Sequence, residues 1–368
     1  MSAPLPPLTQ IPADIAAVAD YEPLARQRLS AGAWAYFNGG SGDECTLRDN
    51  RAAFERLRLQ PRVLAEVAGG DTALTLFGQR YAHPIFVAPV ALQTLAHPDG
   101  ERATALAATA LQAGMVVSTQ AGLPLEDIAA VAQAPLWFQL YIQPDRDFTL
   151  ALVRRAEAAG YRALVLTVDA PINGLRNAEQ RAGFVMPPGI EAVNLRGLRA
   201  LPPQTARPGD SLLASAIVAA APTWKDLDWL RAQTSLPILL KGVIAPADAQ
   251  RAIEAGVDGL VVSNHGGRTL DTLPATIAVL PAIAQVVNAR VPLLLDGGIR
   301  RGTDILKALA LGASAVLVGR PIVHGLAAAG AVGVAHVLHL LRTEFEIAMV
   351  LSGCRRLADI DRSRLWPD

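Results

Sequence analysis

The sequence predicts a closed (β/α)8 barrel, the TIM-barrel architecture of the α/β class. Short apolar runs recur eight times along the chain, and helical periodicity follows them in alanine-rich segments. Buried strands that alternate with helices indicate a parallel sheet, and eight such units favour a barrel over an open, doubly wound sheet. The length of 368 residues is compatible with one such domain.

The predicted strands are apolar runs that end at polar residues or glycines. In chain order they span residues 84–87, 115–117, 136–140, 163–166, 237–240, 259–262, 291–295 and 315–318. The clearest helical patterns between them cover residues 98–113, 149–159, 246–255 and 303–311. Because functional residues of these barrels gather at the carboxyl ends of the strands, we expect the active site there.

Two segments depart from the regular alternation within this single predicted domain, 1–368. Residues 1–80 precede the barrel (81–368), and we expect them to be largely helical and to cap it. Residues 186–222 form a long, proline-containing loop after the fourth barrel strand, which predicts an active-site loop. Its apolar part, 212–221, is predicted to be a helix that packs on the barrel or touches a membrane.

Composition excludes several classes of protein. The net charge is zero, so nothing favours binding to nucleic acid. Cys45 and Cys354 provide neither a disulfide framework nor a metal cluster, and the histidines have no metal-ligand spacing. Residues 1–10 lack the pattern of a signal peptide, and the apolar stretch 326–341 is interrupted by glycines and histidines, which is typical of a core helix. We therefore expect a soluble, cytoplasmic protein without a metal.

A histidine and an arginine follow the sixth predicted strand, in the segment from Ser263 to Asp271. His265 is suited to accept a proton near neutral pH, and Arg268 is suited to bind a carboxylate through two hydrogen bonds. A polar turn after a strand is the simpler alternative. The pair predicts a site that binds an acid and removes a proton from it.

Glycine and arginine follow the seventh and eighth strands, where barrels of this kind bind phosphate. The first turn contains Asp296, Gly298 and Arg300, and the second contains Gly319 and Arg320. Glycines let backbone N–H groups approach an anion, and the arginines supply the opposite charge. No strand–GxGxxG–helix arrangement is present, so NAD on a Rossmann domain is not supported, and FMN is the cofactor that this pattern suggests.

With these motifs the chain resembles the FMN-dependent (S)-2-hydroxy-acid oxidases and dehydrogenases, a family that includes glycolate and lactate oxidases, mandelate dehydrogenases and the flavin domain of flavocytochrome b2. The resemblance extends nearly from end to end. Its blocks are residues 36–40, 43–44, 46–47, 61–62, 95–101, 138–141, 145–146, 166–171, 240–242, 263–271, 274–276 and 296–302.

The resemblance implies a role for each catalytic residue. His265 resembles the active-site base, and Asp169 its partner, whose charge would stabilise the imidazolium. Arg268 and Arg176 resemble the clamp for the substrate carboxylate. Tyr36 and Tyr141 resemble the hydroxyl donors to the substrate. The ordinary alternatives remain a helix-capping aspartate, a solvated loop arginine and two core tyrosines.

The resemblance also implies how FMN is bound. Lys241 resembles the lysine whose charge would stabilise anionic reduced flavin. The remaining residues would contact the flavin ring, the ribityl chain or the phosphate: Ala88, Pro89, Val90, Ser118, Gln139, Thr167, Ser263, Asp296, Gly298, Arg300, Gly319 and Arg320. Oxygen or another redox acceptor would reoxidise the flavin, and a homotetramer is expected by analogy.

Departures from the family pattern concern the substrate. Gln120 occupies the position of a large aromatic in plant glycolate oxidase, which predicts a more open and more polar pocket and a best substrate other than glycolate. An FMN-barrel isomerase of the type 2 isopentenyl-diphosphate kind is the main alternative, but it would not need the arginine clamp or the His265–Asp169 pair. A silent ligand-binding barrel would be expected to have lost one of these residues.

Overall fold

The amino-terminal segment forms three helices and a hairpin before the barrel begins. The computed structural model of the protein describes residues 4–198 and 211–367. The elements of this segment are α1 (Tyr21–Arg28), α2 (Ala31–Asn38), α3 (Cys45–Arg56), β1 (Leu74–Leu76) and β2 (Gln79–Tyr81). The turn between the two antiparallel strands has positive φ at both Phe77 (49°) and Gly78 (74°), as a type I′ turn requires.

The last residue of the hairpin, Tyr81, lies just before the start of the first barrel strand. The hairpin therefore covers the amino-terminal end of the barrel. Leu76 and Tyr81 are buried in the same apolar cluster as Phe86 and Trp137 of the barrel interior. The Tyr81 and Phe86 ring centroids are 4.6 Å apart, and those of Phe86 and Trp137 are 4.8 Å apart. We expected residues 1–80 to be largely helical, and that prediction missed this two-stranded hairpin.

Eight parallel strands close into a barrel, which confirms the predicted fold. They are β3 (Ile85–Val87), β4 (Gly114–Ser118), β5 (Leu136–Leu140), β6 (Leu164–Thr167), β7 (Ile238–Val243), β8 (Gly259–Val262), β9 (Leu293–Leu295) and β10 (Ala315–Val318). The last strand pairs with the first, with Val316 opposite Ile85, and this register closes the ring.

Helices surround the barrel and follow its strands. They are α4 (Gly100–Ala110), α5 (Leu125–Val131), α6 (Arg146–Ala158), α7 (Asn177–Arg181), α8 (Ala216–Ala219), α9 (Trp224–Arg231), α10 (Pro246–Glu254), α11 (Thr276–Val287), α12 (Gly302–Ala310) and α13 (Arg320–Leu351). Among the described helices, α13 alone is long and apolar enough to cross a membrane, and 78% of its most apolar window is buried inside the protein, as in a core helix. Its backbone leaves helical geometry at Ala329 and Gly330.

Side chains of the barrel strands alternate between two apolar layers. Each strand contributes a residue to the interior, and the last contributes two: Phe86, Val116, Trp137, Val165, Leu239, Val261, Leu294, Ala315 and Leu317. Their neighbours point outward and pack against the helices, as Ile85, Val117 and Leu164 do. The interior is therefore a packed core, and only the carboxyl ends of the strands are free to carry polar groups.

The loop after β6 is less helical than expected. Residues 199–210, which belong to the predicted active-site loop 186–222, lie outside the described part of the chain. The predicted helix 212–221 is instead a short turn (Leu212–Ala214) followed by α8. Ser215 separates the two because its hydroxyl accepts a hydrogen bond from Val218 N at 3.3 Å, which begins a new helix.

Candidate active site

A cavity of about 470 Å³ lies at the carboxyl ends of the barrel strands. Most residues singled out in the sequence line it: Tyr36, Ala88, Pro89, Val90, Ser118, Gln139, Tyr141, Thr167, Arg176, Lys241, His265, Arg268, Asp296, Gly298, Arg300, Gly319 and Arg320. Asp169 and Ser263 do not line the cavity, but each is hydrogen-bonded to a residue that does. The fold therefore brings the predicted set together from every part of the barrel.

His265 and Asp169 form a hydrogen-bonded pair at one side of the cavity. His265 Nδ1 lies 2.9 Å from Asp169 Oδ1, and His265 N donates to Ser263 Oγ at 3.0 Å. With Nδ1 donating to the carboxylate, Nε2 is left to accept a proton. Burial opposes ionisation of Asp169, but His265 and Lys241 outweigh it and lower the pKa of this carboxyl group.

A glycine allows Asp169 to approach the barrel. Gly242 follows Lys241 in β7 and has a φ of 108°, in the region that side chains rarely adopt. A Cβ at this position would lie 2.5 Å from both Cβ and Cγ of Asp169. The Lys241-Gly242 pair at the end of β7 thus provides a charge and the space for the carboxylate beside it.

Two arginines enter the cavity from different loops. Arg268 Nη1 donates to the carbonyl oxygens of Tyr36 (2.6 Å) and Gly39 (2.9 Å), and its guanidinium lies 5.5 Å from the Tyr36 ring centroid. Arg176 Nη1 is buried without a hydrogen-bond partner in the described part of the chain. Burial, followed by the charge of Arg268, lowers the pKa of Arg176 to about 10, and an anion would relieve both effects.

Glu179 was not identified from the sequence, although it lines the cavity. Its Oε1 lies 3.8 Å from Arg176 Nε and 3.8 Å from Arg268 Nη2, between the two guanidinium groups. Burial raises the pKa of Glu179, and the two arginines oppose that change. The one available sequence signal is the spacing of Arg176 and Glu179, three residues apart at the start of α7.

Both tyrosines in the cavity are protonated phenols. Burial raises the pKa of Tyr141 to about 12 and also raises that of Tyr36. Each hydroxyl can therefore donate a hydrogen bond to an oxygen atom of a bound acid. Neither residue is only a core aromatic, because both line the cavity.

Lys241 lies almost fully buried at the floor of the cavity, with 4% of its surface exposed. Its Nζ donates to Ser263 Oγ at 3.0 Å and lies 3.3 Å from Asp296 Oδ2. Burial disfavours the ammonium ion, but the negative charges of Asp296 and Asp169 outweigh it and raise the pKa of Lys241. The residue is a fixed positive charge beneath the cavity.

A chain of neutral polar groups crosses three adjacent strands. Ser118 Oγ donates to Gln139 Oε1 at 3.2 Å, and Gln139 Nε2 donates to Thr167 Oγ1 at 3.1 Å. All three side chains are buried and line the cavity. This arrangement suits hydrogen bonding to a neutral heterocycle or a polyol.

Two arginines form the basic end of the cavity. Arg320 donates to the carbonyl oxygens of Phe37, Gly266 and Gly39, and Arg300 donates to that of Ile299 at 2.8 Å. No ion pair of the described residues includes either guanidinium group. Burial, together with neighbouring arginines, lowers the pKa of Arg300 to about 10 and holds the pKa of Arg320 well below its ordinary value.

A close backbone approach shapes this basic end. Gly298 has a φ of 88°, and a Cβ there would lie 2.2 Å from Asn50 O of α3. The two arginines, this glycine turn and the buried Lys241 fit a cofactor that carries a phosphate at one end and an electron-accepting ring at the other. FMN has this chemistry.

The amino-terminal helices are fixed to the histidine loop by residues that sequence reasoning did not assign. Asp271 accepts hydrogen bonds from the backbone N–H groups of Asp43, Cys45 and Thr46 at the start of α3, at 2.9–3.2 Å. Asn264 and Asn50 exchange two side-chain hydrogen bonds of 2.8 and 2.9 Å in the core. These contacts hold α3 against the histidine loop, and Arg268 holds the end of α2, which carries Tyr36, through the carbonyl oxygens of Tyr36 and Gly39.

Three other histidines make hydrogen bonds of a structural kind. His83, His97 and His324 bond to a carbonyl oxygen, a backbone N–H group and an asparagine side chain, respectively. Within the described ranges, no three His, Cys, Asp or Glu side chains are grouped so that they could bind a metal ion.

Comparisons with known proteins agree with this geometry. The family described as FMN-dependent dehydrogenase matches residues 25–367. The chain is 49% identical over 353 residues to an L-lactate oxidase of Nostoc sp., covering 94% of this chain and 96% of the relative. It is 45% identical over 358 residues to glycolate oxidase 1 of Oryza sativa subsp. indica, covering 96% of each.

A solved structure of mandelate oxidase with benzoyl-formic acid has a TM-score of 0.86 and 43% sequence identity to this chain, covering 95% of this chain and 98% of that one. The expected family, the FMN cofactor and the oxidation of a 2-hydroxy acid are confirmed. The chain belongs to the FMN-dependent dehydrogenase family.

Proposed function

We propose that the protein oxidises an (S)-2-hydroxy acid to the 2-keto acid, with the residue roles given below. The observation that carries this proposal is the presence of the His265–Asp169 pair and the Arg176–Arg268 pair in one cavity. The first pair can accept a proton, and the second can bind a carboxylate. An isomerase of the diphosphate kind would have no use for either pair.

The carboxylate of the substrate binds between Arg176 and Arg268. Support comes from the buried, unpartnered Nη1 of Arg176 and from the two guanidinium groups on either side of Glu179 Oε1. A substrate carboxylate provides the charge that this cluster needs, and two arginines also fix its orientation. The phenols of Tyr36 and Tyr141 donate to the substrate oxygens.

His265 removes a proton from the bound acid. Oxidation of the C2–OH unit to C=O releases two protons and two electrons. His265 takes one proton, and FMN would supply the acceptor for the electron pair and the other proton. Asp169 stabilises the imidazolium that forms, because its charge lies at 2.9 Å from Nδ1. The positive φ of His265, 58°, directs the ring from a tight glycine turn.

The hydrogen-bonding capacity and charge of the cavity residues suggest which part of FMN each would contact. Lys241 and Ser263 suit the electron-accepting end of the flavin ring, and the chain from Ser118 through Gln139 to Thr167 suits its polar edge and the ribityl hydroxyls. The backbone at residues 88–90 would lie along the ring. Asp296, Gly298, Arg300, Gly319 and Arg320 suit the ribityl and phosphate end.

We further propose that molecular oxygen reoxidises the flavin, giving hydrogen peroxide, because the similar lactate and glycolate enzymes are named oxidases. We also propose a cytoplasmic homotetramer that acts without a membrane or nucleic acid. Size-exclusion chromatography with light scattering tests the tetramer.

The proposed activity is tested by the visible spectrum of the purified protein under anaerobic conditions. Addition of (S)-lactate, (S)-mandelate or a longer 2-hydroxy acid is expected to bleach the flavin bands, and air is expected to restore them with release of peroxide. Flavin bands that none of these acids bleaches would contradict the proposal. Slow reoxidation by air alone would contradict only the choice of oxygen as acceptor.

A further inference from the structure

A second cavity, of about 500 Å³, adjoins the active-site cavity at the carboxyl ends of β5, β6 and β7. Gln120, Tyr141, Thr167 and Asn173 line both cavities, so these four side chains form the partition between them. None of the roles proposed above uses the far side of this partition. We refer to the second space as the side-chain cavity.

The side-chain cavity has a mixed wall, in which large apolar side chains alternate with polar groups. Ile217 of α8, Trp224 and Leu227 of α9, and Val243 of β7 contribute large hydrophobic surfaces. Asp248 is the one charged residue among the described residues that line this space. The described lining contains no arginine or lysine that could bind a carboxylate or a phosphate. Its large hydrophobic side chains can pack against aliphatic or aromatic carbon.

The active-site cavity differs from the side-chain cavity in its charge. Its lining contains four arginines, a buried lysine and the catalytic histidine, and its 470 Å³ must contain both the cofactor and the substrate carboxylate. A substrate with a bulky side chain therefore has to extend it out of this charged space. The side-chain cavity, on the other side of the partition, is the adjoining space that can receive it.

Two of the partition residues are held weakly. The side-chain amides of Gln120 and Asn173 make no hydrogen bond to any residue in the described ranges, whereas Thr167 is bonded to Gln139. Side chains occupy discrete staggered rotamers, and a change of rotamer at these two positions breaks no hydrogen bond to the described residues. Gln120 and Asn173 can therefore move aside when a carbon chain passes between them.

We propose that the side-chain cavity binds the side chain of the substrate, and that the preferred substrates are (S)-2-hydroxy acids with a long aliphatic or an aromatic side chain. This inference rests on the proposed function, whose substrate class it narrows. Glycolate has no side chain to place there, in agreement with the expectation drawn from Gln120.

A homologous series of substrates tests the inference with the unmodified holoenzyme. From (S)-lactate to (S)-2-hydroxyoctanoate, kcat/KM is expected to rise roughly fourfold for each methylene that reaches the cavity. Values that stay level or fall with chain length, while lactate still reduces the flavin, would overturn the inference and leave the proposed function standing. A flavin that no member of the series reduces would overturn both.

A variant that narrows the side-chain cavity gives an independent test. Ile217→Trp is expected to lower the ratio of kcat/KM for 2-hydroxyoctanoate over lactate at least tenfold. Leu213→Trp adds the same bulk at a nearby position that is 83% exposed, and it should leave the ratio unchanged. Ala221→Leu makes a smaller addition to the same wall and replaces the first variant if that variant does not fold. An unchanged ratio in the folded narrowing variant would contradict the assignment.

Discussion

The Asp169→Asn substitution tests the electrostatic part of the site, because it removes one charge and almost no volume. Asparagine can still accept the hydrogen bond from His265 Nδ1 through its amide oxygen, so the orientation of the ring need not change. What is lost is the attraction between the carboxylate and the imidazolium that forms when His265 accepts a proton.

The magnitude follows from the geometry of the pair. A charge-assisted hydrogen bond contributes about 1.5–3 kcal/mol. Two unit charges at about 4 Å, in surroundings with an effective dielectric constant of about 20, attract by about 4 kcal/mol, which is the upper limit here. The two energies describe the same interaction and are not added. We therefore expect kcat/KM for flavin reduction to decrease by a factor of roughly 10 to 1000, with about 100 as the central value.

The assay is anaerobic stopped-flow reduction of the FMN-loaded variant by its best 2-hydroxy acid. Asp228→Asn, on the exposed surface of α9, is a matched control for the loss of one carboxylate and should reduce at the unmodified rate. A rate for Asp169→Asn within twofold of the unmodified protein would refute the claim that this carboxylate stabilises the protonated base.

Three further predictions concern a glycine, an aspartate and an arginine. Gly242→Ala should lower the free energy of unfolding by about 1–3 kcal/mol and slow flavin reduction, because the new Cβ would collide with Asp169. The control is Gly256→Ala, which also has positive φ but lies in open space. It should destabilise the protein less and leave the rate of flavin reduction unchanged. Burial opposes ionisation of Asp271, but backbone N–H groups at the start of α3 outweigh it and lower its pKa to about 2. Its stabilising effect is therefore full above the unfolded-state pKa of about 3.9 and declines as the pH falls towards 2. Urea unfolding should show a loss of about 1 kcal/mol for Asp271→Asn at pH 6 and a smaller loss at pH 3, and an equal loss at both would contradict this. Arg300→Met should weaken FMN binding by roughly 10-fold to 100-fold in equilibrium dialysis, while the neighbouring exposed Arg301→Met should not.

The barrel could be predicted because its strands are buried on both faces. Runs such as 259–262 and 315–318 are continuously apolar, and polar residues mark their carboxyl ends. The hairpin of β1 and β2 could not be predicted in the same way. Its strands have three residues each, too few for an alternating pattern to be distinguished from a loop.

The site could be predicted as far as its chemistry lies in single residues next to strands. His265, Lys241 and Arg300 each follow or end a strand, where the architecture places functional groups. Glu179 was missed because its importance arises from the proximity of two arginines that lie far apart in the sequence. Contacts of this kind depend on the relative positions of loops, which no local pattern specifies.

The role of His265 as the base is the central claim, and the His265→Ala variant tests it most directly. The purified variant should retain its FMN spectrum, because the described cofactor contacts do not depend on the imidazole. Its anaerobic reduction by the best 2-hydroxy acid should be slower by a factor on the order of 100 to 10,000. An FMN-loaded variant that is reduced at the unmodified rate would show that another group removes the proton.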